Sequence, residues 1–198
     1  TMRGMRLYKS LFFFPFVISQ VVVGLVFTWF YDPTFGLFNQ VIGWVGLEPI
    51  NVLGDPRSVT IGIIAAGIWP QMAHCMILYL TGLNAVDPQQ VEAARLDGAK
   101  RMRMLWFVIL PQLRPATFIA FVVTIIGALR SFDLISIMTG GGPFGESRVL
   151  SFYMFEMALS EYGFRMGYGA SIAVVLFLIM LCFIAYFLWF MRREEQSR

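Results

Sequence analysis

Four long apolar stretches alternate with shorter polar connections along the chain. They cover residues 11–30, 59–81, 116–138 and 168–190. A helix needs about 20 residues to cross a hydrocarbon core of roughly 30 Å, and each stretch reaches that length. The stretches are continuously apolar, whereas the strands of a membrane barrel alternate apolar and polar positions. The pattern therefore predicts an all-α, polytopic transmembrane bundle of about four spanning helices in a single domain, 1–198.

Basic residues are distributed unequally between the connections. Eleven of them precede the first stretch, separate the second from the third, or follow the fourth: Arg3, Arg6, Lys9, Arg95, Lys100, Arg101, Arg103, Arg114, Arg192, Arg193 and Arg198. The other two connections hold only Arg57, Arg148 and Arg165. Short loops rich in Lys and Arg stay in the cytoplasm. Both termini of this chain and the 82–114 connection are therefore predicted to be cytoplasmic.

The composition agrees with a membrane protein. The chain is 58% hydrophobic and 14% charged, against about 45–50% and 25% in soluble domains. Its net charge of +3 falls in clusters between apolar stretches, which favours membrane topology over nucleic-acid binding. Cys75 and Cys182 lie inside apolar stretches, so the sequence indicates no disulfide framework.

The 82–114 connection contains a predicted short helix. Asp87 suits the N-cap, Pro88 suits the first helical position, and Gln90 stands where a capping box places its second side chain. The pattern predicts a helix from Pro88 to about Asp97. Gly98 then follows, and it can adopt the left-handed conformation that ends a helix.

The same connection carries a recognisable motif. The stretch "EAARLDGAKRMRMLWFVILP" resembles the EAA signature of the membrane subunits of ABC importers. The matching residues are Glu92, Ala93, Ala94, Gly98, Leu110 and Pro111, and Val108 replaces the usual Ile. Ala93 and Ala94 also leave part of the helix without bulky side chains, so that another protein surface can approach its backbone.

Two further segments resemble the sugar-importer group of these permeases. One is the first apolar stretch with its Asp-Pro-x-x-Gly turn, formed by Asp32, Pro33 and Gly36. The other is "SFDLISIMTGGGP", residues 131–143. Members of the group usually have two more helices before the basic segment with which this chain begins, so the chain is expected to lack N-terminal helices.

The resemblance implies an inner-membrane, multi-pass permease of the type I ABC importer kind that moves a carbohydrate inward. Residues 88–98 would be its coupling helix, which docks on a dimer of ABC ATPase subunits. The coupling residues that it implies are Glu92, Ala93, Ala94, Asp97, Gly98 and Pro111. It also implies a second, different permease subunit and an extracytoplasmic sugar-binding protein. The sequence has no G-x-x-x-x-G-K-[ST] motif, so ATP and Mg are expected on the partner ATPase, with no cofactor on this chain and no enzymatic activity.

Two charged residues stand in or near the third apolar stretch. Arg130 and Asp133 are spaced i, i+3, which places them on one helix face where they can neutralise each other. Charges inside a membrane are costly and often functional. The alternative is therefore that Arg130, Asp133 or Ser136 touches the substrate or gates the pore.

Three uncharged polar residues are also candidates for the substrate path. Gln71 and His74 share a face of the second stretch, and Gln20 lies in the first. Each either hydrogen-bonds another helix, as polar residues in membranes often do, or lines the sugar path. A lone His74 is a poor metal site, and no metal is expected. The 140–143 segment is expected to be an exposed turn, with contact to the binding protein as its alternative role.

Two other functions compete with sugar import. One is an ion- or proton-coupled secondary transporter or channel in which Arg130 and Asp133 are the working charges. The other is an ABC permease for glycerol phosphate or another small solute, with Arg130 at an anion-selective site. Dependence on ion gradients rather than ATP separates the first from the importer, and anion selectivity marks the second.

Overall fold

The computed structural model describes residues 5–160 and 164–196. Within these ranges the protein has eleven α-helices, one π-helical segment and no β-strand. In chain order the elements are α1 (Met5–Val17), α2 (Gln20–Phe30), α3 (Leu37–Trp44), α4 (Val59–Asn84), α5 (Pro88–Leu96), α6 (Arg101–Met104), the π-helical segment (Leu105–Ile109), α7 (Leu110–Gln112), α8 (Arg114–Leu129), α9 (Asp133–Met138), α10 (Leu150–Leu159) and α11 (Met166–Gln196). The all-helical prediction is confirmed.

Two helices in the described ranges are long and apolar enough to cross a membrane alone. They are α4 and the Met166–Arg193 part of α11, which contain the predicted stretches 59–81 and 168–190. Two more crossings form if Ser10–Val17 joins α2 and if Arg101–Gln112 joins α8. The sequence predicts four spans, and the described ranges hold two to four candidate crossings.

The first predicted stretch, 11–30, is interrupted between α1 and α2. Ser19 has an extended backbone, with φ −65° and ψ 147°, and its Oγ accepts a hydrogen bond from the Val22 N–H at 3.3 Å. A serine N-cap satisfies one of the backbone donors that the start of a helix leaves free. At the break only Ser19 and Gln20 are polar, which is why the hydrophobic pattern alone predicts no break.

The expectation of one continuous helix over 116–138 is wrong. α8 ends at Leu129, and α9 begins only at Asp133. The Ser131 carbonyl between them accepts a hydrogen bond from Ser151 Oγ at 2.7 Å. The Phe132 ring stacks on the Phe152 ring with the centroids 6.0 Å apart. Both partners lie on α10, so contacts with that helix hold the non-helical segment in place.

The chain divides into two compact units. The first unit is Thr1–Val17 with Pro70–Ile125, and the second is Ile18–Trp69 with Ile126–Arg198. The second unit contains a hydrophobic core of buried side chains from Val23, Tyr31, Val52, Val59, Ile63, Ala66, Leu134, Ile135, Met138 and Phe152.

The turn between α2 and α3 lies in the second unit and is held by an aspartate. Asp32 Oδ1 accepts hydrogen bonds from the Thr34 N–H at 2.8 Å, the Thr34 hydroxyl at 2.6 Å and the Phe35 N–H at 3.1 Å. These bonds, with that of the Thr34 hydroxyl contributing most, hold the pKa of Asp32 below its usual value. A Cβ on Gly36 would lie 2.4 Å from the Asp32 carbonyl oxygen. Only glycine fits at the end of this turn.

A buried asparagine connects the turn to the segment after α3. The Asn39 amide donates to the carbonyls of Tyr31, Asp32 and Ile50 at 3.5, 3.2 and 3.0 Å, and its Oδ1 accepts from the Ile50 N–H at 2.7 Å. One side chain therefore satisfies backbone groups on both sides of α3.

We expect Asn39→Leu to destabilise the second unit by about 3 kcal/mol, because buried backbone groups then lose their partners. The matched control is Gln40→Leu, since the Gln40 amide makes one exposed hydrogen bond to the Phe35 carbonyl. The control should lose less than about 1 kcal/mol. The measurement is the free energy of unfolding of both variants in detergent micelles. Equal losses would contradict the role given to Asn39.

Candidate functional site

The helix predicted to couple to a partner is α5, in the first unit. Asp87 has an extended backbone, with φ −66° and ψ 116°, and its side chain accepts from the Gln89 N–H at 2.9 Å. Pro88 occupies the first turn. Its missing N–H costs nothing there, because that group has no partner inside a helix. The predicted start of the helix is confirmed.

The capping box predicted between Asp87 and Gln90 is wrong. The Asp87 N–H donates to Gln112 Oε1 at 2.9 Å, and the Gln112 amide donates to Gln90 Oε1 at 3.1 Å. Gln112 belongs to α7, 25 residues from Asp87. A partner so distant in the chain leaves no local spacing signal, and it ties the start of α5 to the entry of α8.

We expect Gln112→Ala to loosen the start of α5. The change removes both hydrogen bonds and costs about 1–2 kcal/mol at this partly exposed site. Amide hydrogen exchange at residues 87–91 should rise several-fold in the full chain. Gln89→Ala is the control, because only the backbone N–H of Gln89 takes part in the cap. Unchanged exchange in Gln112→Ala would show that this tether does not hold α5.

The end of α5 is a left-handed glycine turn. Gly98 has φ +74°. The Ala99 N–H bonds to the Ala94 carbonyl at 2.9 Å, and the Gly98 N–H bonds to the Arg95 carbonyl at 3.1 Å. This pair of bonds is a Schellman motif, which satisfies the last carbonyls of a helix. The predicted role of Gly98 in ending the helix is confirmed, with Asp97 as the C-cap.

The surface of α5 is open. No residue of the helix is buried. Glu92 and Ala93 are exposed and Ala94 is half-buried. Leu96 is 90% exposed. Within the described part of the first unit, nothing covers Glu92, Ala93 or Leu96.

A surface pocket of about 420 Å³ lies against α5. Its lining residues are Ala94, Asp97, Ala99, Arg103, Phe107 and Val108. Small residues form its α5 side, and one acidic and one basic side chain stand at its edge. Sequence reasoning missed Arg103 and Phe107 as site residues. Their i, i+4 spacing was the available signal, because it places them on one helical face after the Gly98 turn.

The base of the connection is packed more tightly than its tip. A Cβ on Gly82 of α4 would lie 2.7 Å from Ala116 Cβ and 3.0 Å from Leu113 Cδ2. Pro111 is half-buried and follows the π-helical segment, where the Leu110 N–H bonds to the Leu105 carbonyl. A proline cannot donate a helical hydrogen bond. The helix from Arg101 to Gln112 then bends by 64° into α8.

Gln71 and His74 both contact other helices of the first unit. The Gln71 amide donates to Thr124 Oγ1 at 2.7 Å, which joins α4 to α8. The His74 ring meets the Phe16 ring edge-on, with the centroids 5.2 Å apart. The Gln71 hydrogen bond is the contact that the packing interpretation predicts, whereas the His74 contact is a ring contact and not a hydrogen bond.

The remaining candidates for the substrate path lie in the second unit. Gln20 is exposed in the first turn of α2, and Ser136 is half-buried on α9. Arg130 and Asp133 are both exposed, and no ion pair joins these two residues. The helix-face prediction for this pair is wrong, because α8 ends before Arg130 and α9 begins at Asp133.

The segment 139–147 forms a closely bonded turn in the second unit. The hydroxyls of Thr139 and Ser147 lie 2.9 Å apart, and Ser147 Oγ donates to the Gly142 carbonyl at 2.6 Å. Gly141 has φ +82°, and a Cβ there would lie 2.5 Å from Phe152 Cε1. Phe144 is 94% exposed at the tip. The turn is thus anchored at its base and open at its tip.

Comparisons with known proteins identify the family. The profile of the binding-protein-dependent transport system inner membrane component matches residues 4–191. The probable ABC transporter permease protein YurN of Bacillus subtilis is 34% identical over 176 residues, which cover 88% of this chain and 60% of YurN. The trehalose/maltose transport system permease protein MalF of Thermococcus litoralis is 31% identical over 183 residues, 92% of this chain and 61% of that protein. The chain thus spans about three fifths of the length of these relatives.

A solved structure has the same fold. It is the bacterial alginate ABC transporter in complex with alginate pentasaccharide-bound periplasmic protein, with a TM-score of 0.86 and 23% sequence identity. The match covers 98% of this chain and 67% of that chain. The fold agrees with the family profile, which matches nearly all of the sequence. This chain belongs to the family of binding-protein-dependent transport system inner membrane components.

Proposed function

We propose that this chain is a membrane-spanning part of a permease subunit of a carbohydrate ABC importer, coupled to ATP hydrolysis on a partner through α5. The observation that carries the proposal is the construction of α5. It is a short helix closed at both ends, with no buried residue and with a tether to the entry of α8. Such a helix can transmit a displacement of its partner to α8 without unfolding.

The proposed partner of α5 is a dimer of ABC ATPase subunits, which holds ATP and Mg. The exposed Glu92 carboxylate pairs with a basic side chain there. Ala93 and Ala94 allow close approach of the partner. Asp97 and Gly98 end the helix beside the pocket, and Pro111 lies where the connection enters the membrane part. Closure of the ATPase dimer then moves α5, and through Gln112 and Leu113 it moves α8.

The proposed substrate is a carbohydrate, delivered by an extracytoplasmic binding protein to a pore shared with a second permease subunit. Two of the similar proteins support this substrate class, because MalF is named for trehalose and maltose transport and the solved transporter is named for alginate. The ion-coupled alternative, in which Arg130 and Asp133 are the working charges, would be marked by uptake that depends on an ion gradient and not on ATP. Gln20, Gln71, His74, Arg130, Asp133 and Ser136 remain the proposed contacts along the substrate path.

The proposed orientation places α5 and both ends of this chain in the cytoplasm. The cluster of Lys100, Arg101 and Arg103 directly after α5 supports it, because basic loops stay inside. The connections that contain α3 and residues 139–147 then lie on the opposite side of the inner membrane.

The test is uptake by the complete complex in proteoliposomes, with labelled trehalose, maltose and alginate oligosaccharides as probes. We expect uptake of a carbohydrate that requires both ATP and the binding protein. Glu92→Ala should lower it by about tenfold or more, since removing one partner of an interfacial charge pair costs about 2 kcal/mol or more. Glu48→Ala, an exposed carboxylate on another connection, is the control and should leave uptake unchanged. Uptake driven by an ion gradient without ATP would contradict the proposal.

A further inference from the structure

The helix α3 has an apolar face that the described part of the second unit leaves uncovered. Leu37, Val41, Trp44 and Val45 are exposed, with Trp44 at 86% and Val45 at 74%. Their i, i+4, i+7, i+8 spacing puts them on one face of a helix. Residues 35–47 contain no ionisable side chain. The face therefore offers nothing with which a charged partner could pair.

The opposite face fixes α3 at the end of α2. Asn39 bonds to the carbonyls of Tyr31 and Asp32, directly after the last residue of α2. The Phe38 ring lies 5.5 Å from the Tyr31 ring and 6.0 Å from the Phe30 ring, measured between centroids. These contacts hold the helix close to the point where the apolar α2 ends. The exposed face of α3 therefore points away from the second unit at that level.

A second exposed apolar stripe lies on α2. Val22, Val26 and Trp29 on that helix are also exposed and form a stripe with helical spacing. The family is an inner-membrane one, and α2 belongs to a candidate crossing. Where a crossing ends, the solvent changes from hydrocarbon to headgroups, and tryptophan is enriched at that depth. A helix that presents an exposed apolar face with a tryptophan suits this boundary.

We infer that α3 lies in the lipid headgroup and acyl boundary at the end of α2, with Leu37, Val41, Trp44 and Val45 in contact with lipid. This assignment uses the membrane position of α2 and does not depend on the carbohydrate or on ATP. In this arrangement the Asp32 turn and the Asn39 hydrogen bonds hold a lateral anchor that fixes the depth of α2 in the bilayer.

The test is spin labelling of the assembled complex in lipid nanodiscs. Labels are placed at Val41→Cys and Val45→Cys, with Cys75 and Cys182 changed to serine and cysteines removed from the other subunits. Collisions with oxygen, which concentrates in lipid, are compared with collisions with a water-soluble nickel chelate. Glu48→Cys, three residues after Val45, is the control. Both labelled positions are exposed, so the label displaces no core side chain.

We expect the ratio of oxygen to nickel collisions to be several-fold higher at residues 41 and 45 than at residue 48. A high nickel rate at residues 41 and 45 would overturn the inference, because the face then lies in water. Low rates for both reagents would also overturn it, because a protein then covers the face. The result is independent of uptake, so it can fail while the proposed function stands.

Discussion

Gly36→Ala is expected to destabilise the second unit by about 3 kcal/mol. The added Cβ would lie 2.4 Å from the Asp32 carbonyl oxygen, 2.5 Å from the Phe30 carbonyl oxygen and 2.7 Å from the Asp32 nitrogen. All three are backbone atoms, so no side chain can rotate to make room. Overpacking of this kind costs about 1–3 kcal/mol or more. The strain falls on the same turn that Asp32 and Asn39 hold.

The measurement is thermal unfolding of the purified chain in detergent. A loss of about 3 kcal/mol corresponds to a fall in Tm of roughly 6–12 °C for a chain of this size. Gly43→Ala is the control, because no atom lies within 4 Å of a Cβ at that position. It should unfold near the natural temperature, since alanine is favourable in a helix. The close packing at Gly36 would be refuted if both variants melted together.

Gly98→Val is expected to remove most of the coupling between ATP hydrolysis and transport without unfolding the membrane helices. A Cβ at Gly98 meets no atom within 4 Å, but φ is +74°. The left-handed conformation costs a non-glycine residue about 1–2 kcal/mol, and a β-branched one more. The strain can be relieved only by opening the Schellman motif at the end of α5. The partner would then meet a frayed helix.

The expected result is a fall of about tenfold in binding-protein-stimulated ATP hydrolysis by the complete complex, since about 1.4 kcal/mol corresponds to a factor of ten. Gly98→Asn should lose less than Gly98→Val, because asparagine tolerates the left-handed region better. The control is Gly127→Ala, which also meets no atom within 4 Å and has no positive φ. Full stimulation in Gly98→Val would show that the end of α5 takes no part in coupling.

The sequence was sufficient to predict the elements whose causes are local. The start of α5 follows from Asp87 and Pro88, and its end follows from Gly98. Each acts through backbone groups within a few residues. The stretches 59–81 and 168–190 were predictable for a similar reason, because length and apolarity alone define a helix that can cross a membrane.

The failed predictions involve partners distant in the chain. The break at residues 130–132 is held by Ser151 and Phe152, and the cap at Asp87 is completed by Gln112. No spacing rule connects these pairs. The expected ion pair of Arg130 and Asp133 does not form, because the helix predicted to carry both residues is interrupted at residues 130–132. Arg103 and Phe107 line the pocket beside α5 because the Gly98 turn brings the following helix back against α5.

The central claim is that α5 contacts an ATP-hydrolysing subunit, and photo-cross-linking tests it most directly. A benzophenone amino acid is placed at Leu96, which is 90% exposed, or at Phe144, which is 94% exposed, in the assembled complex in lipid. Irradiation should link position 96 to the ATPase subunit, while position 144 should give no link to that subunit. The account would be contradicted if position 96 gave no such link, or if position 144 gave it instead.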